Sequence, residues 1–267
     1  MTNLPDMPTA RRLALATLAM AGIAVASCGG DGAPQTSTSD SAVAGSVVVF
    51  AASSLTEAFT EMGTAFQVAN PGATVTFNFA GSGDLVTQIN EGAPADVYAS
   101  ADDSNMAKLT EAGGNATEPV VVARNTFEII VGPGNPKGLD DLTDLDDPDL
   151  IVVLCADTVP CGKGAAKVLA NASVTVTPKS YEEKVKGVVT KVTAGEADAG
   201  IVFATDVQAA GDAAAGVPIA PDVNVVSNYP IVVTMNAPNA AAAQAFVDFV
   251  AGAEGQAILA KYGFLPA

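Results

Sequence analysis

The chain has 267 residues, 49% of them hydrophobic, and carries a formal net charge of -17 with no histidine. That length and apolar content suffice for two modest lobes or for one large α/β domain. The acidity excludes a nucleic-acid or anionic-membrane surface held by charge, and the missing histidine excludes a Ser-His-Asp triad and any histidine general base.

Residues 1–27 read as a signal peptide. Arg11 and Arg12 precede the uncharged apolar run LALATLAMAGIAVA, which is too short to span a bilayer comfortably. Val25-Ala26-Ser27-Cys28 resembles a bacterial lipobox, which would make Cys28 the lipidated first residue of an exported protein held on the outer face of the cell membrane. The alternative is an ordinary signal peptide with an incidental cysteine. Removal of this segment takes Arg11, Arg12 and Asp6 with it and leaves the charge one unit more negative. Residues 28–45 are rich in Gly, Ser and Thr and poor in large apolar groups, so they read as a flexible tether. The folded body is expected from about Ser46.

A β-branched run at 47–51 predicts a strand buried on both faces. Leu55, Ala58, Phe59, Met62, Phe66 and Ala69 recur at helical spacing until Pro71-Gly72, and Ser54 with Glu57 has the form of a capping box opening that helix. TVTFNF (74–79) is the next predicted strand, AGSGDL opens a second helix carrying Leu85, Val86 and Ile89, and ADVYAS (95–100) is a third strand. Strands follow at FEIIV (127–131), IVVLC (151–155), VTVT (174–177), AGIVF (199–203), VNVV (223–226) and PIVVTMN (230–236). Between them fall a short acidic helix near 140–147, a helix after Pro160, one across 181–194 and two near the C-terminus. Alternating strand and helix favours parallel sheets with helices on both faces.

In such folds ligands sit beyond the carboxyl ends of strands, where helix N-termini offer unpaired N–H groups that suit anions. Ser53, Ser54 and Gly81-Ser82-Gly83 lie at two such junctions, and Pro160-Cys161-Gly162 at a third. Each also has a purely structural reading, since serine is a favoured N-cap and glycine a common turn residue. With Cys28 set aside, an exported chain has Cys155 and Cys161 to pair in a disulfide. A zinc site is disfavoured because no second cysteine pair or histidine completes one. Lys163 or Lys167 could form a Ser-Lys pair, and Asp102-Asp103 or Asp140-Asp141 could suggest carboxylate chemistry, but these residues sit in turn and helix-start contexts.

VFAASSL, FNFAGSGDLVTQINEGAPADVYASAD, VPCGKGA, ADAGIVFATD and KYGF occur in that order. Together they resemble the molybdate-binding proteins of bacterial ABC importers, from about Val47 to Phe264. The resemblance implies a two-lobed periplasmic-binding-protein type II fold, each lobe a mostly parallel sheet flanked by helices, with one tetrahedral oxyanion in the cleft between them. It implies lobe 1 at 46–123 plus 230–267, lobe 2 at 124–229, and hinge strands near 121–127 and 226–232. Carried over by position, the oxyanion-binding residues are Ser54 and Ser82, through hydroxyl and main-chain N–H, and Cys161 and Val185 through main-chain N–H. The resemblance therefore implies molybdate or tungstate as ligand, bound as the oxyanion with no direct metal ligand. It implies no cofactor, an ABC permease as partner and a monomeric receptor rather than an enzyme.

One position departs from the family. Where its members commonly place a tyrosine hydroxyl on the oxyanion, this chain has Phe203 in Gly200-Ile201-Val202-Phe203. A hydrogen bond to a charged group contributes about 1.5–3 kcal/mol, so an uncompensated loss weakens binding about tenfold or more. A neighbour such as Thr205 is one expected substitute. A sulfate or other oxyanion receptor of the same fold is the nearest alternative, and a lipid-anchored hydrolase or thiol enzyme the alternative of another class.

Overall fold

The computed structural model describes residues 43–267. The signal segment, Cys28 and the tether as far as residue 42 lie outside the described residues. Strand β1 (Ala44–Ala52) begins two residues before the expected start of the body and runs between β2 (Gly72–Ala80) and β3 (Val97–Ala99), parallel to both. Its Val47, Val49, Ala51 and Ala52 are buried, as the continuous apolar run requires. Helix α1 (Thr56–Ala69) buries Ala58, Phe59, Met62 and Phe66 on one face. Gly63 on that face leaves room for the Phe77 ring, which would stand 2.7 Å from an added Cβ.

After α2 (Ser82–Asn90), α3 (Asp103–Glu111) follows β3 and is capped by Asp102, which accepts from the Asn105 N–H. The chain then enters β4 (Val120–Asn125), passes Thr126 and continues as β5 (Phe127–Val131) in a second sheet. That sheet contains β6 (Val152–Cys155), β7 (Ser180–Glu182), β8 (Ala199–Phe203) and β9 (Ala215–Pro218). They carry helices α4 (Pro160–Ala172), α5 (Val185–Thr193) and α6 (Ala204–Ala210). Strand β10 (Ser227–Val233) returns to the first sheet, and α7 (Ala240–Ala251) and α8 (Ala253–Lys261) close the chain.

The strand orders are β2-β1-β3-β10-β4 and β7-β6-β8-β5-β9. In each sheet one strand alone runs against the rest, β10 in the first and β5 in the second. Both are the strands by which the chain arrives from the other sheet. The C-terminal KYGF segment fastens this crossover: Arg124 and Leu265 exchange both main-chain hydrogen bonds at 2.9 Å, and the Phe264 ring meets Tyr229 edge-on at 5.2 Å.

Five local expectations change. The capping box does not form, because Ser53–Leu55 makes a 3-10 turn ahead of α1 and the N-cap makes no side-chain bond. VTVT is extended but lies outside the sheet; its half-buried valines pack against the core, and pairing with β6 begins only at Ser180, so the expected 181–194 helix shrinks to α5. VNVV is a turn and coil, with Val223 donating to Ala220. The strand read from Pro230 begins at Ser227. Proline lacks the N–H that a ladder needs, and it is accommodated at a register shift between Tyr229 and Pro230. The acidic helix near 140–147 is a 3-10 turn, Leu142–Asp146, in which Asp141 does form a capping box with Asp144.

Candidate functional site

The ends of β1, β2, β6 and β8 converge on one cavity of about 10 Å³, close to the room of a single water-sized sphere. Its walls include Ser53 and Ser54 from the turn after β1, Gly81 and Ser82 from the start of α2, Pro160 and Cys161 from the start of α4, Val185 from the start of α5, and Phe203. The five residues that sequence reading named are therefore neighbours here, drawn from both sheets.

Each contributes through local geometry. Ser82 and Val185 are the first residues of their helices and Cys161 follows Pro160 at the start of α4, so their N–H groups have no acceptor within their own helices. Three positive helix ends thus meet in one space. Cys161 is bonded to Cys155, and this short link holds the loop between β6 and α4 in one shape. Gly162 allows the same turn to close, since a Cβ there would lie 1.9 Å from the Ala156 carbonyl oxygen.

The serine side chains are buried, and each accepts from a neighbouring donor or stands beside one. Ser82 Oγ accepts the Ala101 N–H at 3.1 Å, while Tyr98 donates to the Ser82 carbonyl at 2.9 Å. Burial raises the Tyr98 pKa and keeps it a neutral donor. Ser54 Oγ lies 3.0 Å from the Tyr229 hydroxyl. Phe203 forms an apolar wall, its ring tilted on Phe127 at 4.7 Å and edge-on to Tyr229 at 5.6 Å. Thr205, the expected substitute donor, is not a lining residue; its Oγ1 instead accepts from Asn125 Nδ2 at 2.8 Å.

Two lysines on helices of the second sheet reach helices of the first. Lys163 on α4 lies 3.2 Å from Asp102 and 2.6 Å from Ser104, both at the start of α3. Lys186, one residue past Val185, lies 2.9 Å from Glu57 on α1 and 3.1 Å from the buried Asp206 on α6. Neither Asp206 oxygen accepts a well-directed hydrogen bond from the described residues. Burial accordingly raises its pKa to about 6 against the opposing pull of Lys186. Burial alone would lower the Lys186 pKa, but Asp206 and Glu57 outweigh it and hold it above the usual lysine value. No sequence signal marked this triad, because its members are far apart in the chain.

Residues 47–265 match the family of bacterial extracellular solute-binding proteins. The chain belongs to that family. The solute-binding protein is 38% identical over 237 residues to the molybdate-binding protein ModA of Mycobacterium tuberculosis strain H37Rv, covering 89% of this chain and 91% of that one. Its fold matches the Azotobacter vinelandii periplasmic molybdate-binding protein with a TM-score of 0.72 at 19% identity, covering 83% and 99% of the two chains. It matches the M. tuberculosis sulfate-binding protein SubI equally well, with a TM-score of 0.72 at 20% identity over 83% and 87%. The two solved structures speak for the two-lobed fold alone. The family and the relatives it matches are solute-binding proteins, not enzymes. The Cys161 sulfur at the cavity is joined to Cys155, and Lys163 contacts Asp102 and Ser104.

Proposed function

We propose that this protein is an exported, lipid-anchored receptor that captures molybdate, or tungstate, and delivers it to the permease of an ABC importer. The observation that carries the reading is one small cavity whose polar wall is made of N–H and O–H groups from both sheets. Ser54, Ser82, Cys161 and Val185 are its oxyanion donors in this reading, and Phe203 is a wall without a donor. Residues 46–123 with 230–267 and residues 124–229 act as the two lobes, with the paired crossover strands as hinge. Ligand contacts made to both lobes drive closure, and the closed form is what the permease meets.

A dianion can settle here although the molecule is strongly acidic, because exterior charges are screened over about 8–10 Å. Donor groups also select. Molybdate and tungstate need no acceptor, whereas hydrogen phosphate carries a proton that a donor-only wall leaves unpaired. Sulfate lacks that proton, so only the size of the cavity distinguishes it.

Calorimetric titration of the body from Ser46 with molybdate, tungstate, sulfate and phosphate tests the ligand. The expected result is one-to-one binding of the first two, weakened about tenfold or more by Ser82→Ala. Preference for sulfate would turn the reading to a sulfate receptor, and silence from all four anions would end it. The anchor stands on Cys28 and is checked by mass: the membrane-bound form is expected to carry an acylated Cys28 as its first residue.

A further inference from the structure

The replacement of a donor by Phe203 leaves the cavity without a hydroxyl on that side, yet a buried hydroxyl lies directly behind it. Tyr229 is fully buried on β10 and does not line the cavity. We propose that Tyr229 is a positioning and specificity residue, whose O–H bond occupies one lone pair of Ser54 Oγ and turns the Ser54 hydroxyl so that it presents its hydrogen to the ligand. This rests on the reading of Ser54 as an oxyanion contact.

The direction of the bond follows from the partners available. Asn125 Oδ1 accepts the Thr126 N–H at 3.0 Å, which fixes that amide and turns its Nδ2 toward Thr205, at 2.8 Å, and toward the Tyr229 oxygen, at 3.4 Å. Nδ2 has hydrogens and no lone pair to offer. Among the described residues, the remaining partner of the Tyr229 hydroxyl is Ser54 Oγ at 3.0 Å. A buried phenol hydrogen goes to an acceptor wherever one is in reach, so Tyr229 donates and Ser54 Oγ accepts.

Ser54 Oγ has no other partner among the described residues, and its residue forms part of the cavity wall. With a lone pair occupied from behind, its own hydrogen is left to point into the cavity. The chain of donors then runs from the Asn125 amide to the Tyr229 hydroxyl to the Ser54 hydroxyl to the anion, each bond polarising the next. Ser82 has the same arrangement, with the Ala101 N–H in the place of Tyr229. The lost tyrosine contact is thus replaced by a strengthened serine rather than by a new direct one.

The test is a double-mutant cycle of Tyr229→Phe and Ser54→Ala, read by calorimetry with molybdate and by competition with phosphate. Tyr229→Phe keeps the ring that packs on Phe203 and Phe264, and Asn125 keeps its bond to Thr205, so the fold is retained. The expected result is a loss of molybdate affinity of about tenfold in Tyr229→Phe, with little further loss when it is added to Ser54→Ala. Phosphate affinity is expected to hold or rise, because the Ser54 hydroxyl, released from Tyr229, can turn its oxygen toward the phosphate proton. An unchanged molybdate affinity, or the same loss in both backgrounds, would overturn the proposal while leaving the receptor reading intact. Failure of the unmutated protein to bind any oxyanion would instead remove the reading on which the proposal rests, and the proposal with it.

Discussion

Gly81→Ala is expected to weaken oxyanion capture about a hundredfold while leaving the ligand-free protein folded. The backbone at Gly81 has φ -63° and ψ 136°, a conformation any residue adopts, so alanine introduces no strain of its own. Its Cβ would, however, stand 2.4 Å from the Glu183 carbonyl oxygen and 2.7 Å from Val159 Cγ1, both carried by the opposite sheet. Overpacking of this kind costs about 1–3 kcal/mol. The upper end applies here because one obstacle is main chain, and 3 kcal/mol corresponds to about two orders of magnitude in Kd. Under the proposed two-lobe closure the clash belongs to the closed form alone, so the variant escapes it by staying open. Gly162→Ala makes the contrast, since its obstacle, the Ala156 carbonyl at 1.9 Å, lies within one lobe and no opening relieves it. Calorimetry with molybdate and a thermal melt without ligand separate the two. Full affinity in Gly81→Ala would show that closure does not bring these walls together.

Much of this arrangement was legible before any coordinates. The strand-to-helix junctions at Ser54, Ser82 and Cys161 stand out because apolar runs end abruptly at small residues. The ends of β8 are legible because it is a continuous apolar stretch, and those of β5 because its β-type run, broken only by Glu128, stops at Gly132-Pro133. What escaped reading depended on partners distant in sequence. Val174 and Val176 alternate like a strand because one side packs on the core, but alternation cannot reveal whether a neighbouring strand is in reach. Ser54 and Glu57 have the spacing of a capping box, yet each is claimed by a residue far along the chain, Tyr229 in one case and Lys186 in the other. Strand β10 was cut short at Pro230 because a bulge that accommodates proline has no local signature. The same holds for Tyr229, which β10 brings to Ser54, and for Asp206, which α6 brings to Lys186.

Lys186→Met is expected to destabilise the protein in a way that grows with pH. In the unmutated chain the folded-state pKa of Asp206 is about 6, above its ordinary value of 3.8. A carboxylate with a raised folded pKa binds more protons folded than unfolded between those values, so its contribution to stability falls as pH rises from about 4 to about 6. At 1.36 kcal/mol per unit the fall amounts to about 3 kcal/mol, and Lys186 limits it to that. Without the ammonium group the same buried carboxyl has lost its cation, and its pKa rises further. Below pH 5 Asp206 is largely protonated with or without the lysine, so the two proteins are expected to differ little. At pH 8, two units above the pKa that Lys186 maintains, the variant is expected to be less stable by about 3 kcal/mol. Asp206→Asn in the Lys186→Met background removes the buried charge and is expected to restore most of that loss. Denaturant melts of the three proteins at pH 5 and pH 8 decide the matter. A stability difference that is the same at both values would mean that Lys186 acts through its packing or its bridge to Glu57, and not by holding Asp206 ionised.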